Sequence, residues 1–359
     1  MRRRNAFLAA VAALAVAASV VVALAVGADR AARLAGGGTA PAEVVAPEDA
    51  APAPELAGIA GWLNSPPLTM AGLRGRVVLV DFWTYSCVNC RRTLPFLRAL
   101  HDTYAARGLT VIGVHSPEFD FEKLPDNVAR AVRALDVTWP VAEDPDRAAW
   151  DAFRNSYWPA DYLVDRSGRI RVTHVGEGGD TEIENALRGL LAEGGGDPGE
   201  ARVGDVQRAP GAQPLTPEQY LGAERGGYLR DGETRDVTDH GGTTVRLTGR
   251  FTGGAEYVAA AAPGARVRLA FDAKDVYAVL APPAGSTARQ RVEVRLDGAP
   301  VPVARRGRDV REAGGRTYVD VAADDLYHLV TGPARVTGER LDLVATAPGL
   351  RWFTFTFGG

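Results

Sequence analysis

The chain holds two cysteines, Cys87 and Cys90, two residues apart in Cys87-Val88-Asn89-Cys90. They follow the apolar run Val77-Val78-Leu79-Val80-Asp81-Phe82 and open a segment in which Leu94, Leu97, Leu100 and Tyr104 recur at helical spacing. A pair at a helix start sits among unpaired amides at the positive end of the macrodipole, which lowers a thiol pKa and enlarges the thiolate fraction. Cys87, nearer the helix end, is the candidate nucleophile. Cys90, one turn later, is placed to attack a mixed disulfide on Cys87 and release the partner, which is thiol–disulfide exchange. Half of a metal site or two inert buried thiols are the competing readings. With five scattered histidines and no second cysteine pair, a four-ligand zinc site would need distant residues.

Alternating elements must position that pair. Val77 to Phe82 reads as a strand buried on both faces, and Cys90 to about Arg107 as a helix ended by Gly108. Leu109 to His115 is the next buried strand. Asp126 to Leu135 and Arg147 to Phe153 read as helices, with a short strand from Thr138 to Ala142 between them. Tyr162 to Asp165 and Ile170 to His174 form a hairpin, and Thr181 to Leu191 closes the domain as a helix. This alternation predicts an α/β sandwich with a mixed sheet. Beyond Leu215 the segments are short and β-rich: Val267 to Phe271, Val276 to Leu280, Val292 to Leu296, Tyr318 to Val321, Leu341 to Val344 and Trp352 to Phe357. Turns such as Asp297-Gly298 and Pro348-Gly349 separate them, which predicts an antiparallel β-sandwich with Phe353, Phe355 and Phe357 on the core face.

The 359 residues, with 41 basic against 44 acidic side chains, fit two or three domains and provide no field to recruit nucleic acid. Arg2-Arg3-Arg4 precedes an uncharged run from Ala6 to Ala28, long enough to span a bilayer with the amino end in the cytoplasm. Residues 1–28 are therefore expected to be a retained anchor, or a signal segment if cleaved, in which case the protein is secreted. Residues 29–58 read as an Ala/Pro tether, 59–192 as the α/β domain, 193–214 as a Gly/Pro linker and 215–359 as the sandwich. Outside the cytoplasm two thiols can hold a lasting disulfide.

Val80-Asp81-Phe82-Trp83, then Cys87-x-x-Cys90 and Pro95, resembles the thioredoxin superfamily, with Asp81 six residues before the first cysteine and Pro95 five after the second. The wider stretch Phe82 to Arg92, with His115-Ser116-Pro117-Glu118-Phe119, is similar to the TlpA-like, membrane-tethered branch and to mycobacterial DipZ-type proteins. In the latter a β-sandwich resembling a carbohydrate-binding module follows the thioredoxin-like region. The resemblance implies a thioredoxin-like fold, a mixed central sheet flanked by helices, followed by an all-β sandwich. It implies an enzyme in which Cys87 attacks, Cys90 resolves and Asp81 relays the proton to or from Cys90. It also implies that Pro159 is a cis-proline facing the thiols, that Trp158, Pro159 and Trp83 contact substrate, and that Pro95 kinks the active-site helix. The implied partners are protein thiols and disulfides and a membrane electron donor of the CcdA or DsbD type. On its single candidate span, no counterpart of the DipZ-type electron-transfer domain is expected within these residues. No nucleotide, metal or haem ligand set is found in the sequence, so electrons are expected from a partner.

Departures from the family pattern are local. Val88-Asn89 replaces Gly-Pro, and Ser86 replaces the tryptophan before the first cysteine. No lysine occurs between Leu109 and His115, so Asp81 lacks the usual cationic neighbour and is expected to titrate high through desolvation. His115 and Glu118 end a strand beside the cysteine strand and could flank the site. Two other functions compete. Thr84-x-x-Cys87 fits part of a thiol peroxidase signature, although Val80 stands where that signature has proline. In the other, the sandwich binds cell-wall carbohydrate through rings such as Tyr257, Tyr277, Tyr318 and Trp352. Arg305-Arg306-Gly307-Arg308 is read as an exposed loop, and the glycine clusters lack a dinucleotide-site context.

Overall fold

Val77–Trp83 (β2) is buried at every position and takes the centre of a six-stranded sheet. The computed structural model describes residues 43–204, 216–286 and 288–358. In the amino-terminal part the other strands are Gly61–Leu63 (β1), Leu109–His115 (β3), Val141–Glu143 (β4), Ala160–Val164 (β5) and Ile170–Val175 (β6). The helices are Val88–Tyr104 (α1), Pro125–Ala134 (α2), Ala148–Ala152 (α3) and Asp180–Ala192 (α4). Strand order is β1-β4-β3-β2-β5-β6; β2 pairs parallel with β3 and antiparallel with β5. The mixed sheet of the expected fold is present. Alternation along β2 sends Val78, Val80 and Phe82 into a core with Ile112, Val114, Tyr162 and Trp150, and turns Leu79, Asp81 and Trp83 to the opposite face.

Part of the expected tethers is docked. Val45 N donates to Arg171 O at 2.8 Å, Ile170 N to Ala51 O at 2.8 Å and Ala53 N to Gly168 O at 2.9 Å, while Ala50 is buried. The cause is β6, an edge strand whose free backbone groups residues 45–53 satisfy. After α4, Val203 N and Gly204 N donate to Glu184, and Ala201 O accepts from Arg188. Residues 1–42, with the expected anchor, and 205–215, with the rest of the second linker, lie outside the described residues. Among the described residues no helix is long and apolar enough to cross a membrane.

The carboxy-terminal part is one antiparallel sheet folded over a single core. Its strands are Gln219–Tyr220 (β7), Thr234–Gly241 (β8), Val245–Gly253 (β9), Val258–Ala260 (β10), Arg266–Ala273 (β11), Asp275–Ala281 (β12) and Gln290–Leu296 (β13). Ala299–Pro300 (β14), Arg311–Ala313 (β15), Arg316–Val321 (β16), Asp325–Val330 (β17), Val336–Ala345 (β18) and Arg351–Gly358 (β19) complete it. The path runs β15-β16-β13-β18-β11-β9-β10-β19-β12-β17. Strand β9 changes partner midway, with residues 245–248 on β11 and 251–253 on β10. Gly249 sits at that bend at φ +110°, and a Cβ there would meet Ala265 Cα at 3.0 Å. Val267, Leu269, Val292, Leu343, Leu280, Trp352 and Phe355 fill the enclosed core.

The predicted phenylalanine face is corrected at one position. A register shift between Val279 and Leu280 pairs Val279 with Thr354 but Leu280 with Trp352, leaving Phe353 as the extra residue of a bulge. The bulge turns Trp352 into the sandwich core with Phe355 and Phe357, and aims Phe353 out of it. There Phe353 meets Phe119 and Phe121, at ring distances of 5.3 and 4.9 Å.

Candidate active site

Cys87 is the N-cap of α1, with extended φ and ψ, and its Sγ accepts a hydrogen bond from Cys90 N at 3.2 Å. A sulfur here takes the place of the usual capping oxygen, and an anionic sulfur takes it better. Cys87 is half-buried and Cys90 fully buried, and both are free thiols. Burial pushes the Cys90 thiol well up. A hydrogen bond with Cys87, the Cys87 charge and Asp81 act in the same direction, and a backbone hydrogen bond from Thr84 opposes them. The reachable sulfur and the proton-holding sulfur are therefore different residues.

Asp81 lies beneath α1, 1% exposed, with neither carboxylate oxygen hydrogen-bonded. Burial, and next the charge of Asp161, hold its pKa well above the carboxylate range. This is the direction expected from the missing lysine. The β3 residue in register with Asp81 is Gly113, whose Cβ would come within 2.8 Å of Trp83 Nε1, so the site has no room for a cationic side chain.

The loop before Cys87 is held by residues that the sequence pattern did not reveal. Glu122, in the 3-10 turn Asp120–Lys123, accepts from Ser86 Oγ at 2.6 Å, Ser86 N at 3.2 Å, Glu118 N at 2.6 Å and Phe119 N at 3.0 Å. Burial raises its pKa, and the hydrogen bonds from Ser86 and Thr84 pull it back. Arg91 donates from Nε to Tyr85 O at 2.5 Å and pairs with Asp325 of β17, which Arg130 of α2 also reaches at 3.1 Å. Arg92 pairs with Glu177 at 3.3 Å, its guanidinium 5.8 Å from the ring centre of Tyr277, which stacks on His328 at 4.4 Å. Glu118 accepts from Tyr220 Oη and from Arg225, each at 2.8 Å. Phe119, Glu118, Arg91 and Arg130 thus tie the sandwich to the residues that flank the cysteine pair.

The remaining expectations divide. The Trp158–Pro159 bond is cis. Trp158 is half-buried, its Nε1 donating to Ser116 O at 3.0 Å and its ring lying 4.2 Å from Trp150. Trp83, expected at a substrate surface, is 1% exposed and packed edge-on against His115 at 5.3 Å, so a bound substrate cannot touch it. His115 is itself buried, which pushes its pKa down to about 3 and keeps the ring neutral. Of the ring candidates for sugar binding, Trp352 is sealed in the core, Tyr257 packs on Phe353 at 5.2 Å and Tyr318 lies under Arg291 at 3.8 Å. Arg305 and Arg306 are paired with Glu339 and Glu312, so that cluster is not a free anion grip.

Comparison with known proteins agrees with this architecture. The AhpC/TSA family profile matches residues 47–173, and a profile described as a thioredoxin-like C-terminal domain matches residues 216–358. Protein DipZ of Mycobacterium tuberculosis is 36% identical over 329 residues, which is 87% of this chain and 43% of that protein. The chain therefore spans less than half the length of that relative. The thiol-disulfide oxidoreductase YkuV of Bacillus subtilis is 32% identical over 142 residues, 40% of this chain and 95% of YkuV. A solution structure titled as a thioredoxin-like protein in the oxidized form is 34% identical, covering 40% of this chain and 97% of that one, at a TM-score of 0.37. Nearly the whole of that thiol–disulfide oxidoreductase is thus matched by 40% of this chain, and the chain belongs to the thioredoxin-like thiol–disulfide oxidoreductases.

Proposed function

We propose that this enzyme reduces disulfides of protein substrates outside the cytoplasm, with Cys87 as the attacking thiol, Cys90 as the resolving thiol and Asp81 as the base for Cys90. The reading rests above all on the division between a half-exposed Cys87 at the start of α1 and a buried Cys90 above a buried, unbonded carboxylate. Cys87 thiolate attacks one substrate sulfur; a Cys87–substrate disulfide forms and the other substrate sulfur leaves as a thiolate, protonated by water. Cys90 then passes its proton to Asp81 and attacks Cys87 Sγ. The Cys87–Cys90 bond forms, the second substrate thiolate leaves, and two electrons have moved from enzyme to substrate. A dithiol donor restores the pair, and a membrane donor of the CcdA or DsbD type suits the anchor expected at residues 1–28. The TlpA-like resemblance supports the reducing direction. Trp158 and Pro159 border the substrate site in this reading.

Cys90→Ala protein leaves the first step intact and removes the second. It should accumulate disulfide-linked adducts through Cys87 that a reductant releases; a preparation with no such adducts overturns the assignment. A thiol peroxidase is the second reading, favoured by the AhpC/TSA match. Against it, Thr84 Oγ1 faces His115 Nε2 at 3.4 Å. Rapid peroxide consumption by the Cys90→Ala protein would establish that reading instead.

A further inference from the structure

Asp81 has a second carboxylate beside it. Asp161 of β5 is its direct register partner across the antiparallel β2–β5 pair, and is 5% exposed. Ala160 and Tyr162, on either side, belong to the opposite core, so Asp161 points to the same face as Asp81. Directly opposed side chains in such a pair have Cβ atoms about 5 Å apart. On the other flank of Asp81 stands Gly113, closed in by Trp83 and Trp139. The titratable groups around the two carboxylates are Cys87 and Cys90 of α1 and His174 of β6, the register partner of Asp161. Asp180 of α4 lies beyond His174, next to Gly179.

We propose that Asp161 is a positioning residue for the proton transfer from Cys90: its carboxylate, in register with Asp81 and buried with it, makes Asp81 a stronger base. Two ionised carboxylates this close in a dry site repel each other, so the doubly ionised pair takes up its first proton more readily than a lone aspartate does. The chemical need is a match of proton affinities. An ordinary aspartate lies several units below an ordinary thiol, and the buried Cys90 thiol is pushed higher still. A base that is too weak leaves the transfer uphill. A cation beside Asp81 would weaken it further; a carboxylate there does the opposite. The proton leaves Cys90 Sγ for Asp81 as the Cys90–Cys87 bond forms, and the repulsion between the Asp81 and Asp161 carboxylates is relieved in that step. This inference rests on Cys87 and Cys90 being the exchange pair.

The test uses the full chain, reduced, with the aromatic disulfide 5,5′-dithiobis(2-nitrobenzoate) as probe in stopped flow. Attack by Cys87 releases one coloured thiolate and attack by Cys90 releases a second. In wild type two phases should appear; a single phase would overturn the exchange reading itself. Asp161→Asn should leave the first phase unchanged, slow the second roughly tenfold at neutral pH, less than the roughly 10²–10⁴-fold that a proton-transfer group itself contributes, and move its acid limb to lower pH. Asp161→Glu, which keeps the charge, should restore the limb. With Asp81→Asn already in place, Asp161→Asn should have no further effect on the second phase. An unchanged pH limb in Asp161→Asn, or equal slowing of both phases at every pH, overturns the proposal.

Discussion

Phe353→Ala should uncouple the sandwich from the cysteine-bearing part without harming the sandwich's own core. The ring is 1% exposed and meets Phe119 at 5.3 Å, Phe121 at 4.9 Å and Tyr257 at 5.2 Å. A buried phenylalanine removes about 200 Å² from water, or about 5 kcal/mol at 25 cal/mol per Å², and core Phe→Ala changes cost about 3–5 kcal/mol. We take about 4 kcal/mol. If the whole described chain melts as one unit, an unfolding entropy of about 2.1 cal/mol/K per residue over roughly 300 residues turns that loss into a shift of about 6 °C. If the roughly 140 residues from Thr216 onward melt alone, the same loss is about 13 °C. The expected result in calorimetry is one transition for wild type and two for Phe353→Ala, with the sandwich transition close to that of the sandwich's own core. Phe355→Ala, which empties that core, should instead lower the sandwich transition itself. Identical melting of the two variants would refute the assignment of Phe353 to the contact between the two parts. So would a Phe353→Ala shift under about 2 °C.

Two further outcomes follow from hydrogen-bonded carboxylates. Glu122→Ala leaves Ser86 N, Glu118 N and Phe119 N without their common acceptor; we expect a loss of about 3 kcal/mol in urea unfolding, with slower first-phase thiolate release because the loop before Cys87 is freed. Tyr220 Oη lies 2.8 Å from both Glu118 and Glu218 but has one proton to donate, so the second contact needs a proton on the acid, and desolvation by the surrounding groups followed by the charge of Glu118 pushes Glu218, a residue still exposed at its surface, up to about 7. The native state therefore keeps a proton that the unfolded chain loses near pH 4.3, and stability should fall as pH rises from there to about 7. Glu218→Gln should flatten that slope in thermal melts between pH 5 and 7.5, and an unchanged slope would show that another group carries it.

The parts of the site legible in the sequence were those coded within a few residues. A strand buried on both faces is a continuous apolar run, and the spacing from Asp81 to Cys87 to Cys90 sets a carboxylate and two thiols along one strand–helix turn. The residues missed depend on pairings across the chain. Asp161 reads as an ordinary strand residue until the β2–β5 register sets it against Asp81. Asp325 is 234 positions from Arg91, in a strand that follows two further aspartate and alanine residues and shows little alternation. Strand β9 is interrupted by Gly249, the residue that allows it to change partners. Trp83 and Trp158 look alike as aromatic neighbours of the site. Only the alternation of β2, which turns Trp83 under Gly113 and His115, separates a buried ring from a half-exposed one.

The one-residue bulge at Phe353 and the pairing of Asp325 bear on the same short stretch. Phe353 presses on Phe119 and Phe121, which stand three residues and one residue before Glu122 in sequence. Glu122 holds Ser86, and Arg91, fixed by Asp325, holds the carbonyl of Tyr85. The two residues before Cys87 are thus restrained from two directions, each restraint passing to a sandwich strand, β19 in one case and β17 in the other. In the exchange proposed above, a half-buried sulfur that caps its own helix must keep the φ and ψ of the N-cap while its bonding partner changes from proton to substrate sulfur to Cys90. Restraint of residues 85 and 86 meets that requirement while Cys87 itself stays half-buried, and it accounts for the position of the contacts between the two parts at the rim of the cysteine turn.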